Sequence, residues 1–200
     1  MTRDTFDFNE VYAHNYWDGE ESLSGPGSGT FATEYLVTWL TLFRDANNIK
    51  KVLDIGCGDN FWMPDFENYL GVDVSEMAID MAKMRRPGRL FKQANMIEHK
   101  VKSPGDLIIC RLVMQHLPLA DARAMLNNVR GGSKWLLATT YKDGVNTGSE
   151  SAYNAFRIKL TDPPFNMPEP EEYIQDGWAY DERGVTRDNM CFLGLWRNDT

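Results

Sequence analysis

Apolar positions along this chain follow two alternating periods. Phe31, Tyr35, Trp39 and Leu42 recur at intervals of three and four, which predicts an amphipathic helix from about Thr30 to Asp45. Lys51 to Ile55 then reads as a short apolar strand and Tyr69 to Val72 as a second. Ser75 is a good N-cap for a helix that runs to about Met84 and stops before Pro87-Gly88. Arg89 to Gln93 and Asp106 to Cys110 read as a third and a fourth strand. A helix from about Leu119 to Val129 ends at Gly131-Gly132, and Lys134 to Thr139 makes a fifth strand. The stretch from Tyr141 to Gly177 is rich in loops and proline. Cys191 to Trp196 reads as a final strand, with its partner expected near Trp178 to Asp181.

Strands alternating with helices predict an α/β fold built on a mostly parallel sheet covered on both faces. The chain has 200 residues, 42% of them hydrophobic, which suits one domain spanning residues 1–200. Within it, residues 1–29 read as a lid-like segment and 141–177 as a substrate-side loop region. The net charge of -8 argues against a phosphate-tracking surface, because no Lys/Arg run exceeds Arg85-Arg86, so no nucleic-acid partner is expected. Cys57, Cys110 and Cys191 are odd in number and spaced for neither zinc nor a disulfide framework, which predicts buried reduced thiols. The polar, acidic start does not read as a signal peptide, and no apolar run approaches the roughly 20 residues that span a bilayer. A cytoplasmic protein without a membrane partner is the expectation.

The candidate chemistry begins where the first strand ends, in Asp54-x-Gly56-x-Gly58. In an open α/β sheet, ligands sit beyond the carboxyl ends of the central strands, and glycine there lets the backbone approach a ligand closely. Nineteen residues after Asp54, Asp73 ends the second strand, where a carboxylate can accept both hydroxyls of a ribose. Nicotinamide enzymes share that pairing, but they place a third glycine where this chain has Phe61. An acid two residues before the first glycine is instead typical of proteins that bind S-adenosyl-L-methionine (SAM). Cys57 and Val74 flank these positions. Asn95 and Met96 follow the third strand and are expected to hold adenine; Arg111 follows the fourth, beside the methionine moiety. Only about ten residues separate Gly58 from the second strand, so the first crossover helix is expected to shrink to a turn, with Phe61 and Trp62 packed near the site.

Trp17…Glu21-Ser22-x-Ser24-Gly25-x-Gly27-Ser28, the glycine loop, Cys110-Arg111-x-x-x-x-His116-Leu117, Leu136-Leu137-Ala138-Thr139-Thr140 and Pro163-Pro164-Phe165-Asn166-x-Pro168-x-Pro170 together resemble a small family of class I SAM-dependent methyltransferases. Its members occur in algae, bacteria and large algal viruses, sometimes fused to glycosyltransferases. The resemblance implies a Rossmann-like, mostly parallel seven-stranded sheet with a C-terminal antiparallel hairpin. It also implies O-methylation of a glycan hydroxyl, with a rhamnose-like deoxyhexose as the acceptor, release of S-adenosyl-L-homocysteine (SAH), and a fused or associated glycosyltransferase. A viral member would work in the host cytoplasm. Gly25 and Ser28 then belong to a lid that contacts SAM or substrate rather than to a plain linker. Many members carry an acid after the arginine, where this chain has Leu112, and that departure weakens the carry-over of substrate class.

A sulfonium already activates the methyl group, so the protein must mainly align the acceptor and exclude water. A sugar hydroxyl also needs a general base. His116, just past the fourth strand, is the first candidate, because its ordinary pKa near 6.5 suits proton removal at neutral pH; the alternative is that it orients the following helix. His14 and His99 have weaker claims. Tyr141 and Arg157 are candidates to hold the acceptor from the far side, and Trp17 and Trp62, with Tyr153, to stack on sugar rings. No metal is expected, since Arg111-Leu112 and Thr140-Tyr141 occupy the places where metal-dependent enzymes carry carboxylates; Asp143 is a loose candidate. Asp162-Pro163-Pro164-Phe165 matches a motif of enzymes that methylate DNA bases, but it falls some fifty residues too late and reads as a turn. An N-methyltransferase acting on an amine, and a SAM-binding scaffold without turnover, are the competing readings.

Overall fold

The period-two runs pair edge to edge into a single twisted layer. The computed structural model describes residues 7–102, 105–176, 179–181, 184–186 and 190–198. Its helices are α1 (Phe8–Ala13), α2 (Thr30–Asn47), α3 (Glu76–Arg85) and α4 (Leu119–Val129). Strands β1 (Lys51–Ile55), β2 (Asn68–Asp73), β3 (Leu90–Gln93), β4 (Gly105–Cys110) and β5 (Ser133–Tyr141) pair in parallel. An edge strand, β6 (Glu172–Gln175), precedes a separate two-stranded ribbon of β7 (Ala179–Asp181) and β8 (Gly184–Thr186). The last strand, β9 (Cys191–Arg197), runs antiparallel to both β5 and β6. The order across the sheet is β3-β2-β1-β4-β5-β9-β6. Strand order reverses between β1 and β4, which opens a crevice at their carboxyl ends.

Alternation along each strand builds two cores. In β4, Leu107 and Ile109 face one layer with Leu36 and Leu40 of α2, Val52, Tyr69 and Trp135. Ile108 and Cys110 face the other, with Ile55, Leu136, Trp196 and the buried face of α4. The three cysteines are free thiols, all buried. Among the described residues, no helix is long and apolar enough to cross a membrane.

The first crossover, residues 56–67, contains no helix, as its length requires. A single guanidinium organises it instead. Arg89 Nη1 donates to Asn60 Oδ1 at 2.7 Å, and Nη2 donates to the carbonyls of Met63 and Pro64 at 3.1 and 2.9 Å and to the Asp65 carboxylate. The same group lies over the Tyr69 ring, 4.9 Å from its centroid. Trp62 packs against the α2-side core, near the site as expected.

Two expectations change. Helix α2 continues to Asn47, where Asn48 adopts a left-handed conformation (φ 51°) and its N–H closes the last turn on Arg44. The partner of the final strand is Glu172–Gln175, not the segment near Trp178 to Asp181. Ala179–Asp181 pairs with Gly184–Thr186 instead, and Trp178 lies outside the described residues. In β6 only Ile174 is buried, so the strand carries almost no apolar signal.

Leu136 sits at the centre of β5 with no exposure, whereas Leu42 on α2 is 65% exposed. Leu136→Ala is expected to cost about 2–5 kcal/mol in chemical denaturation, and Leu42→Ala within about 0.5 kcal/mol of zero.

Candidate functional site

The crevice at the switch point is a cleft of about 690 Å³. Its floor is the ends of β1 and β2 (Ile55, Gly56, Val72, Asp73, Val74). Ala94 to Glu98 after β3 forms one wall, Arg111 to Val113 after β4 the other, and Phe8, Tyr12 and Trp17 the roof. That volume suits a ligand of cofactor size.

The loop after β1 fits close ligand approach. Gly56 (φ +69°) and Gly58 (φ +55°) both adopt a left-handed conformation. A Cβ at Gly56 would stand 2.2 Å from Val113 Cγ2, and one at Gly58 2.1 Å from Ser24 Oγ. Backbone and neighbours leave room for hydrogen only. The Gly58 N–H donates to Asp73 Oδ2 at 3.0 Å and the Ser75 N–H to Asp73 Oδ1 at 2.9 Å, which orients that carboxylate at the edge of the cleft. Burial raises the Asp73 pKa despite these bonds. Asn95 and Met96 line the cleft; Asn95 Oδ1 accepts from the Ile97 N–H at 3.0 Å, a turn that leaves Met96 buried against the pocket.

Asp54 is placed differently from the expectation. The alternation of β1 points it to the α2 side with Val52, while Ile55 faces the cleft. Asp54 Oδ2 accepts from the Tyr69 hydroxyl at 2.5 Å, and that hydroxyl accepts from Asn60 Nδ2 at 2.6 Å. Desolvation lifts the Asp54 pKa to about 7. Asp54 does not line the cleft; it braces the glycine loop from below. Cys57 and Gly58 belong to the same loop and act through its backbone shape, and burial pushes the Cys57 thiol up.

Residues 7–28 form a strap over the cleft. Asn9 on α1 fastens it to α3: Ser75 Oγ donates to Asn9 Oδ1 at 2.9 Å. Asp59, itself 1% exposed, fastens it to the glycine loop. Its Oδ1 accepts from Ser22 Oγ at 2.7 Å and Ser24 Oγ at 3.2 Å, and its Oδ2 pairs with Arg85 at 3.1 Å. The Asp59 N–H returns a bond to Ser24 Oγ at 3.1 Å, and Tyr12 Oη lies 3.0 Å from the same oxygen. Gly25 (φ +88°) lets the strap pass Trp17, whose Cβ would be 3.1 Å from an added Gly25 Cβ. Gly25 is therefore a hinge of the strap, and Ser28 lines the cleft.

Arg111 holds the far end of the strap. It is buried, its Nε donates to Asp176 at 2.8 and 2.9 Å, and its Nη2 donates to the Gly27 carbonyl at 2.7 Å. Its guanidinium stands 4.9 Å from the centroid of Trp62. Trp62 thus supports Arg111 and does not line the cleft. Tyr141 and Arg157 do not line it either: Arg157 pairs with Asp143 at 2.8 Å and lies over the Tyr141 ring at 4.5 Å. Among the described residues, no three or more His, Cys, Asp or Glu side chains converge to hold a metal ion.

His116 lines the cleft, in a short 3-10 turn (Met114–His116) after β4. Its Nδ1 lies 2.9 Å from the Asn154 carbonyl. A carbonyl can only accept, so the neutral ring carries its N–H on Nδ1 and its lone pair on Nε2. Desolvation lowers its pKa from the ordinary value to about 4, which corrects the expectation of an imidazole near 6.5. Trp17 packs on it at 5.1 Å between centroids, and the Trp17 indole N–H is buried without a hydrogen-bond partner. His14 pairs with Glu10 and His99 with the Asn95 carbonyl, and neither lines the cleft. Asp162 opens a tight turn that accepts from the N–H groups of Phe165 and Asn166, remote from the cleft.

Several lining residues escaped the sequence reading: Asp7, Phe8, Tyr12, Glu98 and Asp121. The aromatic spacing of Phe8, Tyr12 and Trp17 was the available signal for the roof. Asp59 carried none, because its role depends on a strap thirty-five residues upstream.

The strand order, the glycine loop and the strand-terminal Asp73 define the class I methyltransferase fold. Residues 53–133 match the family model described as "Methyltransferase domain", which implies SAM as the cofactor. None of the curated proteins matches the chain. Among solved structures, the chain is similar to magnesium protoporphyrin IX methyltransferase (ChlM) from Synechocystis PCC 6803 with bound SAH. That match has a TM-score of 0.62 at 15% identity and covers 96% of this chain and 95% of the other. The methyltransferase domain of bacterial CtHen1 gives 0.59 at 19% identity, over 84% and 100%. The N-terminal domain of EvdMO1 with SAH bound gives 0.60 at 10% identity, over 99% and 100%. At these identities the likeness concerns the fold.

If Asp59 is the latch of the strap, Asp59→Ala should weaken SAH binding about tenfold, the order expected for losing hydrogen bonds to a charged group. Calorimetry checks the affinity, and proteolysis within residues 18–28 that accelerates more than global unfolding does checks the opening. An affinity within about twofold of wild type would remove the latch. Gly56→Ala should abolish SAH binding in the same assay, given its 2.2 Å conflict with Val113.

Proposed function

We propose that the protein is an O-methyltransferase that transfers the methyl group of SAM to a sugar hydroxyl of a glycan, a rhamnose-like deoxyhexose being the favoured acceptor. The observation that carries this reading is His116: a neutral imidazole with its N–H committed to the Asn154 carbonyl, in the wall of the cleft that holds Asp73 and Gly56. An amine acceptor would not need such a group. A further support is that EvdMO1, of similar fold (TM-score 0.58, 10% identity), was crystallised in the presence of SAH and D-fucose.

In this reading Asp73 accepts from the ribose hydroxyls, Asn95 and Met96 hold adenine, and the Gly56–Gly58 backbone lies against the methionine end; the lining of the cleft by Gly56, Asp73, Asn95 and Met96 supports it. Bound SAM supplies a methyl group activated by its sulfonium and leaves as SAH. The protein's part is to hold the acceptor oxygen in line, keep water out under the strap, and receive one proton. A base with a pKa of about 4 does not ionise a resting hydroxyl. It can take the proton once the oxygen, forming its bond to carbon, becomes strongly acidic. His116 Nε2 is the acceptor of that proton. The Trp17 indole N–H is an unused donor for an acceptor oxygen. A glycosyltransferase, fused or associated, would supply the glycan in the cytoplasm. The net charge of -8 fits a neutral acceptor better than a nucleic acid.

Release of SAH with a panel of rhamnosides and other glycosides tests the reading. His116→Ala should lower kcat about 10²-fold or more with little change in SAM affinity. Because the neutral ring is the active form, kcat/KM should stay level as pH falls from 8 to 5 and drop only as His116 protonates near its pKa of about 4. An acid limb near the ordinary histidine value, a mutant as fast as wild type, or turnover on amines alone would each overturn it.

A further inference from the structure

The cleft beside His116 shares one lining residue with a second groove. Pro118, part of the cleft wall, is also the near wall of this groove of about 550 Å³, whose other sides include Leu119, Thr147, Glu150, Asn154 and Phe156. The groove is built by a loop locked onto the start of α4. Gly148 (φ +81°) comes so close to that start that an added Cβ would stand 2.7 Å from the Leu119 nitrogen. The Ser149 N–H donates to the Leu117 carbonyl at 2.9 Å and the Phe156 N–H to the Gln115 carbonyl at 3.0 Å. Ser149 Oγ bridges the carbonyls of Ser151 and Asn154 at 2.7 and 3.0 Å. The same Asn154 carbonyl receives His116 Nδ1, so the loop that fixes the proposed base also shapes the groove.

This loop also meets the strap. The Tyr153 ring lies 4.7 Å from that of Tyr16, tilted at 57°, and the two remain 43% and 51% exposed. The groove has an apolar base in Pro118 and Leu119 and polar side chains in Thr147, Asn154 and Glu150; of its lining residues only Glu150 is charged. No cation lines it, which disfavours a phosphate or carboxylate. A ligand with many neutral hydroxyls and apolar C–H faces matches both kinds of wall.

We infer that this groove is a second acceptor subsite, which holds the neighbouring sugar residue of an oligosaccharide while the residue to be methylated sits at His116. The inference rests on the glycan reading above. An acceptor held at both sites loses orientational freedom before reaction, so its advantage appears in kcat/KM.

The test compares kcat/KM for a monosaccharide glycoside with that for the disaccharides that extend it by one residue at either end. In the wild type, one disaccharide should be preferred about tenfold or more, equivalent to roughly 1.4 kcal/mol. Thr147→Trp and Glu150→Trp, at exposed positions of the groove wall where the larger ring fills the groove, should each bring the disaccharide-to-monosaccharide ratio toward one. A wild-type ratio near one, or variants that keep the wild-type ratio, would overturn the subsite while methylation of the monosaccharide upholds the glycan reading. Binding of SAM without methylation of any glycoside would overturn both.

Discussion

The ion pair between Arg111 and Asp176 joins three parts of the chain that sequence keeps far apart. Arg111 follows the central strand β4, Asp176 follows the edge strand β6, and a second edge of the guanidinium donates to the Gly27 carbonyl of the strap. Both side chains are almost wholly buried, at 4% and 0% exposure. A buried pair of this kind repays its desolvation only with good geometry and satisfied hydrogen bonds, and its greater consequence is to specify one arrangement. Here it sets how far the strap lies above the strand ends, and hence the height of the cleft. Trp62, supplied by the helix-free crossover, closes the remaining side of the guanidinium.

The strand ends and glycine loop beneath the strap bury several acidic groups. Burial holds Asp54 up to about 7 and raises Asp73, while Tyr12 and Cys57 are pushed up as well. Between the ordinary carboxyl value and 7, folded Asp54 binds more protons than the unfolded chain does. Its contribution to stability is therefore full at low pH and is lost as pH rises through that window. His116 works in the opposite sense, since its depressed value costs stability as pH falls from the ordinary histidine range toward 4. A site that disfavours buried negative charge is relieved by a cationic ligand, and a sulfonium is one.

How much of this was legible follows from the range of each interaction. Period-two and helical patterns are local, and β1, α3 with its Ser75 cap, β4 and α4 fall where the pattern puts them. Gly56, Asp73, Asn95, Met96, Arg111, Ser28, Trp17 and His116 were named from motif and topology, and all line the cleft. Edge strand β6 escaped because one buried residue, Ile174, carries its whole apolar signal. The motif that singles out Asp54 gives spacing but not facing, and the alternation of β1 turns its side chain to Tyr69. Arg157 and Tyr141 satisfy each other and Asp143, a local solution that position after β5 does not reveal. The Asp59 latch needed knowledge of which distant serines would arrive.

The division of labour between sheet and roof follows from these ranges. The sheet contributes cleft-lining groups from strand ends whose positions the backbone ladder fixes. The roof (Phe8, Tyr12 and Trp17 from the strap, with His116 packed beneath Trp17) is held mainly through side chains. Side-chain contacts can be exchanged without disturbing the ladder, so acceptor choice can change while the cofactor cradle stays. That separation accounts for a chain whose fold matches enzymes at 10–19% identity while its strap, its His116 turn and its 147–156 loop form a locally consistent set. The acceptor is therefore to be read from the roof and that loop, where neutral polar groups and open tyrosine faces outnumber charges, and not from the sheet.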